Sequence, residues 1–224
     1  MRGFTRQLLS TGIATRRGAV LALGALLIAG LAALPLPASA QGPDKARQVV
    51  NKVAEVGISE VVGADLPQAE KIARFRNLFV TYFDVPSIGR FVLGRNWRTA
   101  SPAEQDQFLE LFKEVNVFTW ARRFGDYSGQ DLVIGQATPD GDAGAIVNSS
   151  VEQTGGQQPI QVQWRLRERG DTYKVVDLVI EGVSMAITYR QEYNAVIQQS
   201  GGSVAALNER LASQLARLKA EQGM

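Results

Sequence analysis

Tyr173-Lys174-Val175-Val176-Asp177-Leu178-Val179-Ile180-Glu181-Gly182-Val183-Ser184-Met185-Ala186-Ile187-Thr188-Tyr189-Arg190 is the stretch that decides the fold. It is a β-branched, apolar run that breaks at Glu181-Gly182 and continues as a helix. Val175, Val176, Leu178, Val179 and Ile180 put apolar groups on both faces of a period-2 strand. Such a strand is covered by helices on one side and by protein or ligand on the other. A central strand in an ordinary core is the plainer account of the same residues, because apolar runs are usually packing.

Upstream of this strand the chain reads as three more extended runs. Leu132 to Ala137 ends at Pro139-Asp140-Gly141, Ala145 to Gln153 ends at Gly155-Gly156, and Pro159 to Arg169 ends at Gly170-Asp171. In the third run Ile160, Val162, Trp164 and Leu166 alternate with Gln161, Gln163, Arg165 and Arg167, so one face is buried and one is wet. Short turns between consecutive runs favour an antiparallel meander. Before it the period is helical: Ala46 to Val62, then a helix from Leu66-Pro67 carrying Ile72, Phe75, Phe79 and Phe83, then a short segment from Asp84-Val85-Pro86-Ser87 to Leu93-Gly94. Ser101-Pro102-Ala103-Glu104 reads as N-cap, first-turn proline and capping-box acid of a helix striped with Phe108, Leu111, Phe112, Val115 and Phe118. Two helices follow the sheet, Ser184 to Gln199 and Ser203 to Ala220. The second has Leu207, Leu211, Leu215 and Leu218 on one side, a stripe expected to pack on its own domain. The whole is an α+β fold, with helices wrapped around a curved antiparallel sheet of about four strands.

The start of the chain addresses its compartment. Arg2, Arg6, Arg16 and Arg17 precede an uncharged run from Ala19 to Leu34, and Ala38-Ser39-Ala40 supplies small residues before Gln41, so residues 1–40 read as a cleavable secretory signal. As a membrane anchor the run is short, spanning about 24 Å of helix against roughly 30 Å of hydrocarbon. Thr15-Arg16-Arg17 also raises twin-arginine export, although Ala19 stands where that signal often carries Phe, and the route stays open. The full chain has 24 Lys+Arg and 22 Asp+Glu; losing the four leader arginines leaves 20 against 22, a net charge of −2. That charge offers no footprint for nucleic acid. The remaining 184 residues, 41–224, suit one domain, and with no cysteine it is held by packing alone.

The order of elements and several local words together resemble the MlaC/Ttg2D family of periplasmic phospholipid-binding proteins. The resemblance rests on Tyr82-Phe83-Asp84-Val85, Phe91 to Arg98, the Ser101-Pro102 helix, Val176-Asp177-Leu178, Glu181 to Ser184 and Tyr189 to Tyr193. It implies a periplasmic carrier that takes acyl chains into an apolar cavity, with an outer-membrane lipoprotein complex and an inner-membrane ABC transporter bearing a substrate-binding ring as partners. A carrier of another lipid, such as a hopanoid, is the alternative within the class. The strand from Val175 to Ile180 then becomes the cavity wall. By position, the expected lining is Phe83, Ile88, Val92, Trp97 and Phe112 from the helices, with Val147, Trp164, Val176, Leu178, Ile180, Met185 and Tyr189 from the sheet and its exit. Phe112 and Trp164 equally suit pure core, whereas Met185 suits a cavity that adapts to varied chains. Arg95, Arg98 and Arg190 are candidates for a phosphate at the mouth, set against simple surface charge.

An enzyme is the competing class. The absence of His and Cys removes a Ser-His-Asp triad, a Cys nucleophile and His- or Cys-ligated zinc, leaving Asp177 or Glu181 as a carboxylate base with Tyr189 as acid. For Asp177 the favoured reading is instead a structural hydrogen bond to a backbone amide or to Arg190. Asp140-Gly141-Asp142 lacks the further oxygen ligands of a calcium loop and reads as a hairpin turn, as does Arg169-Gly170-Asp171. No cofactor and no metal are expected.

Overall fold

The computed structural model describes residues 41–124 and 129–224. The leader read from residues 1–40 lies outside them. Helix α1 (Gln41–Val56) puts Ala46, Val50 and Val53 on one buried face and runs on into π-helical turns over Gly57–Val62. Then come α2 (Gln68–Tyr82), α3 (Val85–Leu93), the short α4 (Asn96–Thr99) and α5 (Pro102–Ala121). The capping box of α5 forms: the Glu104 amide donates to Ser101 Oγ at 3.3 Å and the Ser101 amide to Glu104 Oε2 at 2.8 Å.

The sheet is an antiparallel meander of β1 (Leu132–Pro139), β2 (Gly144–Val151), β3 (Ile160–Arg169), β4 (Thr172–Ile180) and β5 (Val183–Ser184), each paired with the next. Four strands stand near their expected places, and β5 is an addition. Glu181 (φ 48°) and Gly182 (φ 79°) both adopt positive φ, as a tight two-residue hairpin requires, so the expected break is a turn back onto the sheet before α6 (Met185–Gln199) begins. The chain closes with α7 (Val204–Glu221), whose Leu207, Leu211 and Leu218 pack back against the helical core beside α5.

Strand β4 does not keep the simple two-residue period. Leu166 of β3 faces Val175 while Arg165 faces Asp177, so Val176 is an extra residue in a bulge. Val175, Leu178 and Ile180 therefore share one face with Leu166, Trp164 and Val162, instead of alternating between faces.

Two apolar cores result. One lies among the helices, with Phe108, Phe112 and Phe118 of α5 meeting Leu93, Ile197 and Leu207. Gly89 lets α3 come close to α5, since a Cβ there would collide with Leu109. The other lies under α1, where Ala46, Val50 and Val53 cover Val147, Trp164, Leu166 and Val175. Phe75 and Phe83 touch both cores.

One residue joins the helical layer to the sheet. The Asp84 amide donates to the Val175 carbonyl at 2.9 Å, on the edge of β4 that the short β5 leaves uncovered. The Asp84 carboxylate caps α3 by accepting from the Ser87 amide at 3.2 Å, and accepts Arg169 Nε at 2.6 Å. Burial by itself would raise the carboxyl pKa, but the hydrogen bonds from Ser87 and Arg169 outweigh it and hold Asp84 below its ordinary value. A depressed folded pKa contributes stability above the unfolded carboxylate value, and that contribution is lost as pH falls. Asp84→Ala should cost about 1–2 kcal/mol in urea unfolding near neutral pH, from the lost cap and a half-exposed ion pair. The gap between wild type and variant should close as pH drops below about 4.

Candidate functional site

The seam between the two cores is not filled. Its larger part is an open groove of about 620 Å³. The π-helical end of α1 supplies Ile58, Val61 and Val62 to one wall, Phe75, Trp120 and Phe124 form the back, and Val162, Trp164, Leu178 and Ile180 come from the sheet. Beyond it lies a narrow inner cleft of about 40 Å³ walled by Phe79, Phe83, Ile88, Phe112, Met185 and Tyr189. Trp120 and Leu178 belong to both walls, so the two spaces adjoin through this pair. A third cleft, of about 300 Å³, opens toward α3 and the start of α6 and shares Ile88, Val176, Asp177 and Ala186 with the inner one.

The inner cleft is aromatic. The rings of Phe79 and Phe83 lie 4.8 Å apart, and Phe112 meets Tyr189 edge-on at 5.8 Å. Burial, with a smaller contribution from Glu192, raises the Tyr189 phenol above its ordinary pKa, and burial does the same to Tyr193 behind it. These hydroxyls stay neutral at physiological pH, which suits a wall and makes Tyr189 a poor proton donor.

Nine of the twelve expected lining residues border these spaces. Phe83, Ile88, Phe112, Val176, Leu178, Met185 and Tyr189 line the inner cleft, while Trp164 and Ile180 line the groove. Val92, Trp97 and Val147 do not. Val92 and Val147 have no exposed surface and sit inside the helical and sheet cores respectively, and Trp97 lies beneath the Arg90 guanidinium at 5.3 Å. The position-based reading missed Phe79, Asn116, Trp120 and the π-helical wall. A signal for part of this existed: Phe112, Asn116 and Trp120 recur every four residues along α5 and so project to one side. Asn116 is tolerated there because its Nδ2 donates to the Phe112 carbonyl at 2.8 Å.

The charged candidates take structural places. Asp177 Oδ2 accepts from Ser184 Oγ at 2.6 Å and Oδ1 from the Ala186 amide at 2.9 Å, so both oxygens anchor the first turn of α6. Of the two partners expected for it, the backbone amide is present and Arg190 is not. Arg190 lies over the Phe91 ring at 4.9 Å. The Glu181 carboxylate accepts from the Gln161 amide beside the β4–β5 turn. Arg95 and Arg98 are exposed and border none of the three spaces. Asp140 begins a hairpin turn and accepts Arg167 Nη1 at 2.7 Å. Among the described residues no cluster of acidic side chains assembles a metal site, and no helix is long and apolar enough to cross a membrane.

Comparison with known proteins places this geometry in a lineage. The model of the MlaC protein family matches residues 47–213. The chain is 26% identical over 129 residues to the intermembrane phospholipid transport system binding protein MlaC of Haemophilus influenzae, covering 56% of this chain and 60% of that protein. It is 23% identical over 122 residues to the toluene tolerance protein ttg2D of Pseudomonas putida, covering 54% and 56%. The matches thus span under two thirds of these relatives' length. Among solved structures, a phospholipid-binding protein from Ralstonia solanacearum, in complex with a phospholipid, superposes with a TM-score of 0.69 at 23% identity, covering 77% of this chain and 98% of that one. At that identity the likeness concerns the fold.

The geometry of Asp177 generates a direct test. Asp177→Asn removes one of two charge-assisted acceptors at the start of α6, and urea unfolding should show a loss of about 1–3 kcal/mol. Unchanged stability would rule out an anchoring role for Asp177.

Proposed function

The chain belongs to the MlaC family, and on that premise we propose that it is a non-enzymatic, periplasmic phospholipid carrier. The observation that carries this reading is the open apolar seam between the two cores. Leaving water against so much apolar wall is unfavourable, whereas each methylene moved from water into such a groove gains about 0.8 kcal/mol. An acyl chain can therefore exchange a bilayer for this seam at little net cost, which is what reversible carriage requires. The groove of about 620 Å³ is the main apolar space, and Met185 in the adjoining inner cleft lends its wall adaptability. The basic leader supports export, and the relatives' names support phospholipid as the ligand class. The partners that fit this role are an outer-membrane lipoprotein complex and an inner-membrane ABC transporter with its substrate-binding ring.

Protein purified from periplasm without detergent should carry glycerophospholipid by native mass spectrometry and organic extraction, and protein that is repeatedly empty would overturn the reading. Leu178 stands at the junction of the two spaces, where a buried carboxylate would be costly. Leu178→Glu should lower lipid occupancy at least about tenfold while its circular dichroism stays native.

A further inference from the structure

Strand β3 carries Arg165, Arg167 and Arg169 at alternate positions, hence on one face. The fold supplies two of them with carboxylates. Arg167 Nη1 donates to Asp140 at 2.7 Å, and Arg169 Nε donates to Asp84 at 2.6 Å. Arg165 has no hydrogen-bond or ion-pair partner among the described residues, although its Nε is buried. Its cross-strand neighbour Asp177 is committed elsewhere, with both oxygens anchoring α6. An unmatched, buried donor on a permanently charged group is destabilising.

Arg165 lines the third cleft, whose other walls include Ile88, Phe91, Val176 and Ile187. Phe91 and Ile187 are 42% and 45% exposed and form an apolar rim. A cation inside apolar walls suits an anion carried on an apolar body. The Asp177 carboxylate in the same cleft disfavours a multiply charged free ion relative to a singly charged diester. Through Ile88, Val176, Asp177 and Ala186 this cleft adjoins the inner one.

We propose that Arg165 in the cleft between β3, α3 and α6 receives the phosphodiester of the carried lipid, as a phosphate subsite adjoining the tail cavity. The assignment rests on the carrier reading. It replaces Arg95, Arg98 and Arg190 as the group that meets the headgroup, since Arg165 lines a cleft that shares four wall residues with the inner one and they line none of the three spaces. A guanidinium can offer a phosphate two parallel N–H donors, a geometry that lysine cannot reproduce.

The test uses detergent-free protein stripped of lipid and reloaded from vesicles of equal parts phosphatidylethanolamine, phosphatidylglycerol and diacylglycerol, with bound species counted by native mass spectrometry. Wild type should take phospholipid over diacylglycerol by about tenfold or more. Arg165→Gln should lose most of that selectivity while still loading diacylglycerol, and Arg165→Lys should fall between them. Wild-type selectivity in Arg165→Gln overturns the assignment, and so does its persistence in Arg165→Lys if the Gln variant does not fold. Inorganic phosphate that raises Tm only when Arg165 is present, yet leaves lipid selectivity untouched, marks a free-anion site and also overturns it. Wild type that loads neither lipid refutes the carrier reading itself and this assignment with it.

Discussion

The hydrogen bond from the Asp84 amide to the Val175 carbonyl governs the arrangement of everything around it. It ties the α2–α3 junction to the edge of β4, a strand whose outer side is otherwise paired only at its far end by the two residues of β5. Unpaired strand edges are covered in stable proteins, and here the cover is also the hinge between two layers. Each layer builds its own core. Phe75 and Phe83 bridge the cores without filling the seam. The space left is bounded by apolar side chains that a tighter union of helices and sheet would have brought into contact.

An open seam of this kind links binding to stability. Interiors are normally close-packed, and walls facing a gap forgo the contacts that packing would provide. An apolar molecule lying in the groove, as proposed for the carried lipid, would supply those contacts to both cores at once and add to stability by mass action. The bulge at Val176 contributes to this design. It keeps Val175, Leu178 and Ile180 on the inner face and directs Val176 and Asp177 to the cleft beside α3 and α6, so one strand borders three spaces.

The acidic residues near these spaces work as anchors. Asp84 caps α3 and Asp177 holds the first turn of α6, each placing a negative carboxylate where a helix N-terminus presents free amides. The two helices so held, α3 and α6, pack against each other and carry Ile88 and Tyr189 into the inner cleft. Both carboxylates are thereby satisfied within the protein, whereas Arg165 in the third cleft has no partner among the described residues.

Much of the architecture was legible in the residues. Ser101-Pro102-Ala103-Glu104 announced α5, Gly170-Asp171 announced the turn into β4, and the alternation from Ile160 to Arg167 announced a one-sided strand, because caps, turns and period are local physics written in adjacent residues. The bulge at Val176 was not legible: its extra residue is defined against β3, and the apolar run looks the same with or without it. Nor could composition separate Val92 and Val147, sealed in core, from Phe83 and Leu178, which border open space. The sequence by itself determined the order and type of the elements, the apolar side of each, and the absence of histidine and cysteine chemistry. Only the tertiary structure decided which apolar sides meet and which face a gap, because periodicity reports the direction in which a side chain points and says nothing of how closely the opposing element approaches.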